Sequence, residues 1–337
     1  MILVTGGTGL VGAHLLLKLA QQGEKVKALV RTKDRIKEVE KIFSFYTENY
    51  QKLIDTIQWV EGDITDSSIV FELTKECEYV YHCAAYVSFN PKHKDKLYKT
   101  NINGTQNIVN GCLEHKIKKL IHVSSVAALG NPTQNNEVDE HCIWKSNKNN
   151  SHYAISKFVS EMEVWRGIEE GLNAVIVNPS YIIGPGDWKK SSAVIFAKAY
   201  KGIPAYTLGT TGYVDVRDVA DCMVKLMNSP ITAERFIVNS ENISFKDFFT
   251  QCATSVGAKP PSIKLNKALL AIAWRLDALR LLFTRGIPYV TRQTATVALS
   301  EKKFSNKKIS TVIGHKFISV ADSINHAGKL YLQVKPN

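Results

Sequence analysis

Tyr153 and Lys157 stand four residues apart in Ser151-His152-Tyr153-Ala154-Ile155-Ser156-Lys157, within a run that reads as a helix over 152–170. A spacing of four puts both side chains on one helix face. A free tyrosine has a pKa of about 10 and is a poor acid–base catalyst at neutral pH. An ammonium a few ångströms away stabilises the phenolate and draws that value toward the working range. Ser125, closing the strand pattern Leu120-Ile121-His122-Val123-Ser124-Ser125, sits at a sheet's ligand-binding edge and can hydrogen-bond the same substrate oxygen. Together the three suit proton transfer to or from a carbonyl or alcohol oxygen. Tyr and Lys at this spacing also decorate many solvent-facing helices, so the pair gains meaning from what surrounds it.

The first dozen residues give it that meaning. Ile2-Leu3-Val4-Thr5 reads as a strand buried on both faces, Gly6, Gly9 and Gly12 recur at steps of three, and Ala13 to Leu19 reads as a helix. Residues without a Cβ let the backbone approach a pyrophosphate, and the helix N-terminus favours its negative charge. Gly6, Thr8, Gly9, Leu10, Val11 and Gly12 are therefore expected to cradle a dinucleotide. About 20 residues past the glycines an acidic residue would bind the ribose of NAD. Arg31 holds that place, with Lys33 and Arg35 close behind. A guanidinium pairs with a 2′-phosphate that a carboxylate would repel, so NADP is expected, with NAD as the alternative. A third strand over Gln58–Ile64 carries Asp63, placed to accept from the adenine amino group. A fourth, Glu78–Ala85, ends in the small residues Cys83, Ala84 and Ala85, a wall suited to lying flat against the cofactor. His82 and Cys83 could open a metal site, but no further ligands stand near in sequence, and both read as packing.

Strands alternating with helices predict an α/β Rossmann fold, a doubly wound parallel sheet with helices on both faces. Long helices are expected over Ile36–Ile57 and Lys96–His115. Residues 1–180 would form the NADP-binding core, and 181–337 a smaller mixed α/β lobe for substrate, with about 205–240 returning to the core. In that lobe Leu265, Leu269, Ile272, Leu276, Leu279 and Phe283 recur at steps of four and three, interrupted by Arg275 and Arg280. Such a stripe can lie on a membrane surface. Packing on the main domain, or lining an apolar substrate pocket, is the favoured reading.

Composition sets the outer bounds. With 45% hydrophobic and 22% charged residues in 337, the chain is ordinary globular material. No apolar run of about 18 residues predicts a membrane span, and a strand beginning at Ile2 leaves no room for a signal peptide. Six scattered cysteines with no CxxC pair point to reduced thiols and a cytoplasmic setting. The net charge of +12 invites nucleic acid, but the lysines are dispersed and no ladder of stacking aromatics accompanies them. A solvated surface that attracts an anionic cofactor is the simpler account.

These residues resemble the extended branch of the short-chain dehydrogenase/reductase superfamily, which includes NDP-sugar epimerases and dehydratases, dihydroflavonol reductases and 3β-hydroxysteroid dehydrogenases. The resemblance runs through Thr5–Gly12, Gly62-Asp63-Ile64, His82–Ala85, Asn101-Ile102-Asn103-Gly104-Thr105, Val123-Ser124-Ser125 and Tyr153–Lys157. It continues in Asn178-Pro179-Ser180 and Tyr213 to Ala220. It implies that Tyr153 is the general acid/base, that Lys157 binds the nicotinamide ribose and depresses the tyrosine pKa, and that Ser125 orients the substrate oxygen. It further implies structural support from Asn101, nucleotide contacts at Asp63 and Ile64, and Pro179 beside the nicotinamide carboxamide.

Departures from the family pattern narrow the activity. Sugar dehydratases of this branch carry Asp-Glu after the active-site hydroxyl residue, whereas Val126-Ala127 follow Ser125 here. Asn178 to Asp187 looks more like the reductase subgroup than the Arg-containing version of sugar-nucleotide enzymes. The expectation is an NADP(H)-dependent reductase of a small, apolar ketone, with an NDP-sugar epimerase as the alternative. A non-catalytic NADP sensor would usually lack the tyrosine–lysine pair. The resemblance also implies a homodimer through helices 96–115 and 152–170, whose outer faces would offer Leu97, Ile108, Phe158 and Trp165, unless these are core.

Overall fold

Seven parallel strands form the central sheet, in the spatial order Glu234–Val238, Ala174–Pro179, Lys119–Val123, Tyr79–His82, Ile2–Thr5, Val26–Val30, Gln58–Glu61. The computed structural model describes residues 1–132, 137–147, 150–283 and 292–335. Every residue of Ile2–Thr5 is buried, because helices cover both sheet faces. Alternation sorts them: Ile2 and Val4 join one apolar cluster with Leu15, Leu16 and Met223, while Leu3 joins another with Ile108, Val109 and Val164. The strand order runs one way from Ile2–Thr5 and the other from Tyr79–His82. Ligands bind beyond the carboxyl ends at such a reversal.

The last strand of this sheet comes from far along the chain. Residues after Pro179 leave for a three-stranded sheet of Glu241–Ser244, Thr210–Asp215 and Tyr181–Ile183. Helix Val216–Met227 then packs against Leu10–Gln21, and Glu234–Val238 pairs beside Ala174–Pro179. A separate apolar cluster of Ile183, Trp188, Phe196, Tyr213, Phe248, Ile324 and Tyr331 holds the smaller lobe.

Several expected elements differ in detail. The helix expected over Ile36–Ile57 is two, Ile36–Ser44 and Tyr50–Asp55. Phe45 and Tyr46 leave the first to pack on Trp188 and His326, and Tyr46 also hydrogen-bonds His14 at 2.9 Å. The helix expected over Lys96–His115 contains a π turn at Lys99–Asn103. The third strand stops at Glu61 and the fourth at His82, so Asp63 and Cys83 to Ala85 lie in the turns beyond the strand ends. Leu97 and Ile108 are fully buried within their own chain and form no outer face. The apolar stripe departs from the expected packing on the main domain. The helix begins at Lys267, leaving Leu265 outside, and Leu269, Ile272, Leu276 and Leu279 face solvent instead of the main domain. The Phe283 side chain lies outside the described residues.

His82 and His122 sit on neighbouring strands with ring centroids 5.2 Å apart. His82 pairs with Thr5 Oγ1 at 2.7 Å and Thr105 Oγ1 at 2.9 Å, whereas neither ring nitrogen of His122 finds a partner among the described residues. Burial pushes His82 down to about 3 and His14 to about 4, and holds His122 well below the usual imidazole range. All three are therefore neutral when folded. Below about pH 6.5 the unfolded chain takes up protons that the fold refuses, so stability is lost as pH falls. His82 and His14 each account for about 2 kcal/mol between pH 7 and pH 5, and His122 acts in the same direction. His122→Phe keeps an aromatic ring there and removes one of the three, so the difference in urea-unfolding stability between pH 7 and pH 5 should be smaller than in wild type.

Candidate active site

The glycine turn is tighter than its spacing alone requires. Gly6 has φ +70°, and a Cβ there would stand 2.5 Å from the Ala84 backbone nitrogen. At Gly12 a Cβ would stand 2.2 Å from the Gly6 carbonyl oxygen. Gly9 caps helix Leu10–Gln21 with no side-chain hydrogen bond, and no acidic residue stands in the first turn. Backbone N–H groups at Leu10 and Val11 are left to an external acceptor, as a pyrophosphate cradle needs. The residues present fit a dinucleotide.

Around that cradle the expected contacts fall into two groups. Thr8 and Pro179 are buried at the crevice, and Ala84 lies against Gly6 with Ala85 exposed beyond it. Cys83 is half-buried, and burial pushes its thiol up to about 12, which leaves it unreactive. Ile64 turns its side chain into the core, its Cδ1 in the space a Cβ at Gly104 would enter, so only its backbone can face a nucleotide. Arg31 and Asp63 face each other, Nε to Oδ2 at 3.3 Å, both about two-fifths exposed (41% and 43%). The Arg35 fork grips Glu38, with Nη2 to Oε2 at 2.9 Å.

Helix His152–Glu169 begins on Ser151, whose Oγ accepts from the Ala154 N–H, so Tyr153 stands in the first turn. Its ring meets Phe89 edge-on at 5.6 Å. Burial pushes the Tyr153 hydroxyl above its usual range, with a Ser125 hydrogen bond pulling the other way. This reverses the expected lowering. In this structure Lys157 Nζ donates to the Val123 carbonyl at 2.8 Å, and desolvation of the phenolate prevails over any help from that ammonium. Ser125 Oγ accepts from the Ala127 N–H at 3.1 Å, which fixes the hydroxyl just past the strand end. Asn101 takes the support position its motif implied. Its amide bridges the Tyr86 backbone and Ser156 Oγ (2.7 to 3.0 Å), and the π turn aims it there.

One residue behind the pair was not anticipated from the sequence. Glu161, fully buried, stands one further step of four along the helix face that carries Tyr153 and Lys157. Its Oε2 accepts from Ser124 Oγ at 2.7 Å and Asn178 Nδ2 at 2.8 Å, and its Oε1 faces Arg235 Nη1 at 3.1 Å. Asn178 Nδ2 also donates to the Ser125 carbonyl at 3.1 Å. The repeat at 153, 157 and 161 was a visible signal, but glutamates on helices are too common to single one out. Phe158, the other outward candidate, stacks on Trp144 at 4.7 Å, and Trp165 packs half-buried against the core.

The family model named NAD-dependent epimerase/dehydratase matches residues 2–239. The chain belongs to that family. A Synechocystis protein that carries the provisional name dihydroflavonol 4-reductase is 34% identical over 278 residues, covering 80% of this chain and 77% of its own. Sterol demethylase protein B of Methylococcus capsulatus is 26% identical over 316 residues, covering 93% and 92%. Among solved structures, the crystal structure of gox2253 superposes with TM-score 0.81 at 28% identity over 99% of this chain and 98% of that one. The chain is thus an NAD(P)-dependent enzyme of the extended short-chain dehydrogenase/reductase type.

Burial pushes Lys157 down to about 8, and the Glu161 carboxylate is the charge that chiefly raises it again. His82 and His122 face the same ammonium as neutral rings, and Arg235 draws on the glutamate from behind. Glu161→Gln keeps the shape and removes the charge. The Lys157 ammonium should then titrate lower by about one unit or more, followed by NMR of ¹³C-labelled lysine with Lys157→Met as the assignment control. An unmoved midpoint would mean that Glu161 serves packing alone.

Proposed function

We propose that this enzyme is an NADP(H)-dependent oxidoreductase that passes a hydride between the nicotinamide and a ketone or secondary alcohol of a small, apolar substrate. The arrangement of Ser125, Tyr153 and Lys157 at the strand carboxyl ends, beside the glycine cradle, carries this reading. The bound dinucleotide supplies the hydride that reaches the carbonyl carbon. Ser125 holds the carbonyl oxygen by a hydrogen bond, and Tyr153 gives that oxygen its proton. The phenolate left behind is stabilised by the Lys157 ammonium, whose partner Val123 O must share it with the nicotinamide ribose. In the alcohol direction the same groups run in reverse.

Two features favour an apolar substrate. Phe89, which meets the Tyr153 ring, stays partly exposed (48%). Relatives named for dihydroflavonol and sterol chemistry point the same way. An NDP-sugar epimerase is the second reading, favoured by the name of the matching family. Incubation with aromatic ketones and NADPH, in parallel with sugar nucleotides, tests the choice. Consumption of NADPH with the ketones alone supports reduction, whereas conversion of a sugar nucleotide with no net cofactor change supports epimerisation.

The preference for NADP rests on Arg31, which a 2′-phosphate would take over from Asp63. A charge-assisted contact of about 1.5–3 kcal/mol gives NADP a roughly tenfold or greater advantage over NAD in fluorescence titration. Arg31→Asp should reverse the order, and equal affinities in wild type would sink the assignment. Tyr153→Phe removes one hydroxyl and leaves the ring against Phe89. NADP affinity should hold while the single-turnover hydride-transfer rate falls by about 10²–10⁴. Wild-type turnover in that variant would take Tyr153 out of the chemistry.

A further inference from the structure

Helix Lys267–Phe283 leaves its apolar stripe bare. Leu269, Ile272, Leu276 and Leu279 are 45%, 54%, 60% and 52% exposed, and their steps of three, four and three place them on one face. The side turned inward presents Leu270 and Asp277, both buried. Four large aliphatic side chains aligned in water are more than the scattered exposure any soluble surface carries.

The segment that carries the stripe is basic in sequence. Between residues 256 and 283 stand Lys259, Lys264, Lys267, Arg275 and Arg280, against the single acid Asp277. That acid is buried and takes Arg280 Nε at 2.8 Å. Arg275 is laid back along the helix flank, its Nη1 donating to the Ala271 carbonyl at 2.8 Å and its guanidinium over the Trp274 ring at 4.6 Å. The chain as a whole carries +12.

That rim decides between occupants. A second copy docking face to face would bring one basic border against another, which repels. A bilayer containing anionic lipid offers the opposite sign at the headgroups and an apolar layer beneath. Among the described residues no helix is long and apolar enough to cross a membrane, so the fit is to lying in the interface. We propose that helix Lys267–Phe283 anchors this enzyme to the surface of anionic membranes, its Leu269–Leu279 stripe in the acyl boundary and its Lys and Arg residues at the headgroups. This anchoring is independent of the hydride-transfer reading.

The test is co-sedimentation of the full chain with vesicles of phosphatidylcholine alone and of phosphatidylcholine with phosphatidylglycerol. Binding is expected to the mixed vesicles and to weaken with salt. The double variant Ile272→Asp/Leu276→Asp, altered only at exposed positions, should lose at least about tenfold in vesicle affinity. It should keep the wild-type melting temperature and NADPH affinity. Absence of wild-type binding to either vesicle overturns the proposal, as does binding that the double variant retains, which would reflect bulk charge. Light scattering supplies the remaining outcome. A wild-type dimer that the double variant converts to monomer, with no vesicle binding, would assign the stripe to a second copy and overturn the membrane reading.

Discussion

The buried carboxylate of Glu161 is the point on which the site's geometry depends. A charged group with no exposure persists only when its lone pairs are taken up and a counter-charge stands close. Asn178 and Arg235 do this from two adjacent strands and Ser124 from just past the end of a third, and the helix that bears Tyr153 supplies the glutamate itself. The helix can neither slide nor rotate without leaving that charge unpaired. Removing one partner from such a cluster costs far more than the cluster contributes as a whole. The pairing therefore fixes position more than it adds stability, and it fixes the two residues best placed for proton transfer.

Much of this was legible because the governing rules are local. Glycine at steps of three between a strand and a helix, and Tyr and Lys four apart, are patterns that backbone geometry makes readable without tertiary knowledge. What escaped the sequence needed the third dimension. Asn101 reaches the Tyr86 loop only through a π turn, and no propensity marks where a helix takes one extra residue. The break after Ser44 arises because Phe45 finds Trp188, more than a hundred residues later. Arg31 and Asp63 were each legible as polar groups past a strand end, yet their mutual pairing depends on how two turns approach. The tyrosine's raised pKa came from burial, a quantity periodicity does not carry.

The helical stripe teaches the complementary lesson. Its period was legible and its packing partner was not, since amphipathicity says that a face wants cover and not which body provides it. The same ambiguity held for Leu97 and Ile108, which the fold resolved inward.

The central sheet reaches its seventh strand late. Pro179 closes one strand, and its neighbour Glu234–Val238 follows only about 50 residues afterwards, beyond the smaller sheet and helix Val216–Met227. At synthesis rates of roughly 5–20 residues per second, the edge of Ala174–Pro179 stays unpaired for several seconds on the ribosome. That edge is uncharged, with Val175, Ile176 and Val177 apolar and β-branched, the kind of template that recruits a stray strand. Production of this enzyme thus carries an aggregation window whose length is set by translation, and slow codons between Pro179 and Glu234 would widen it.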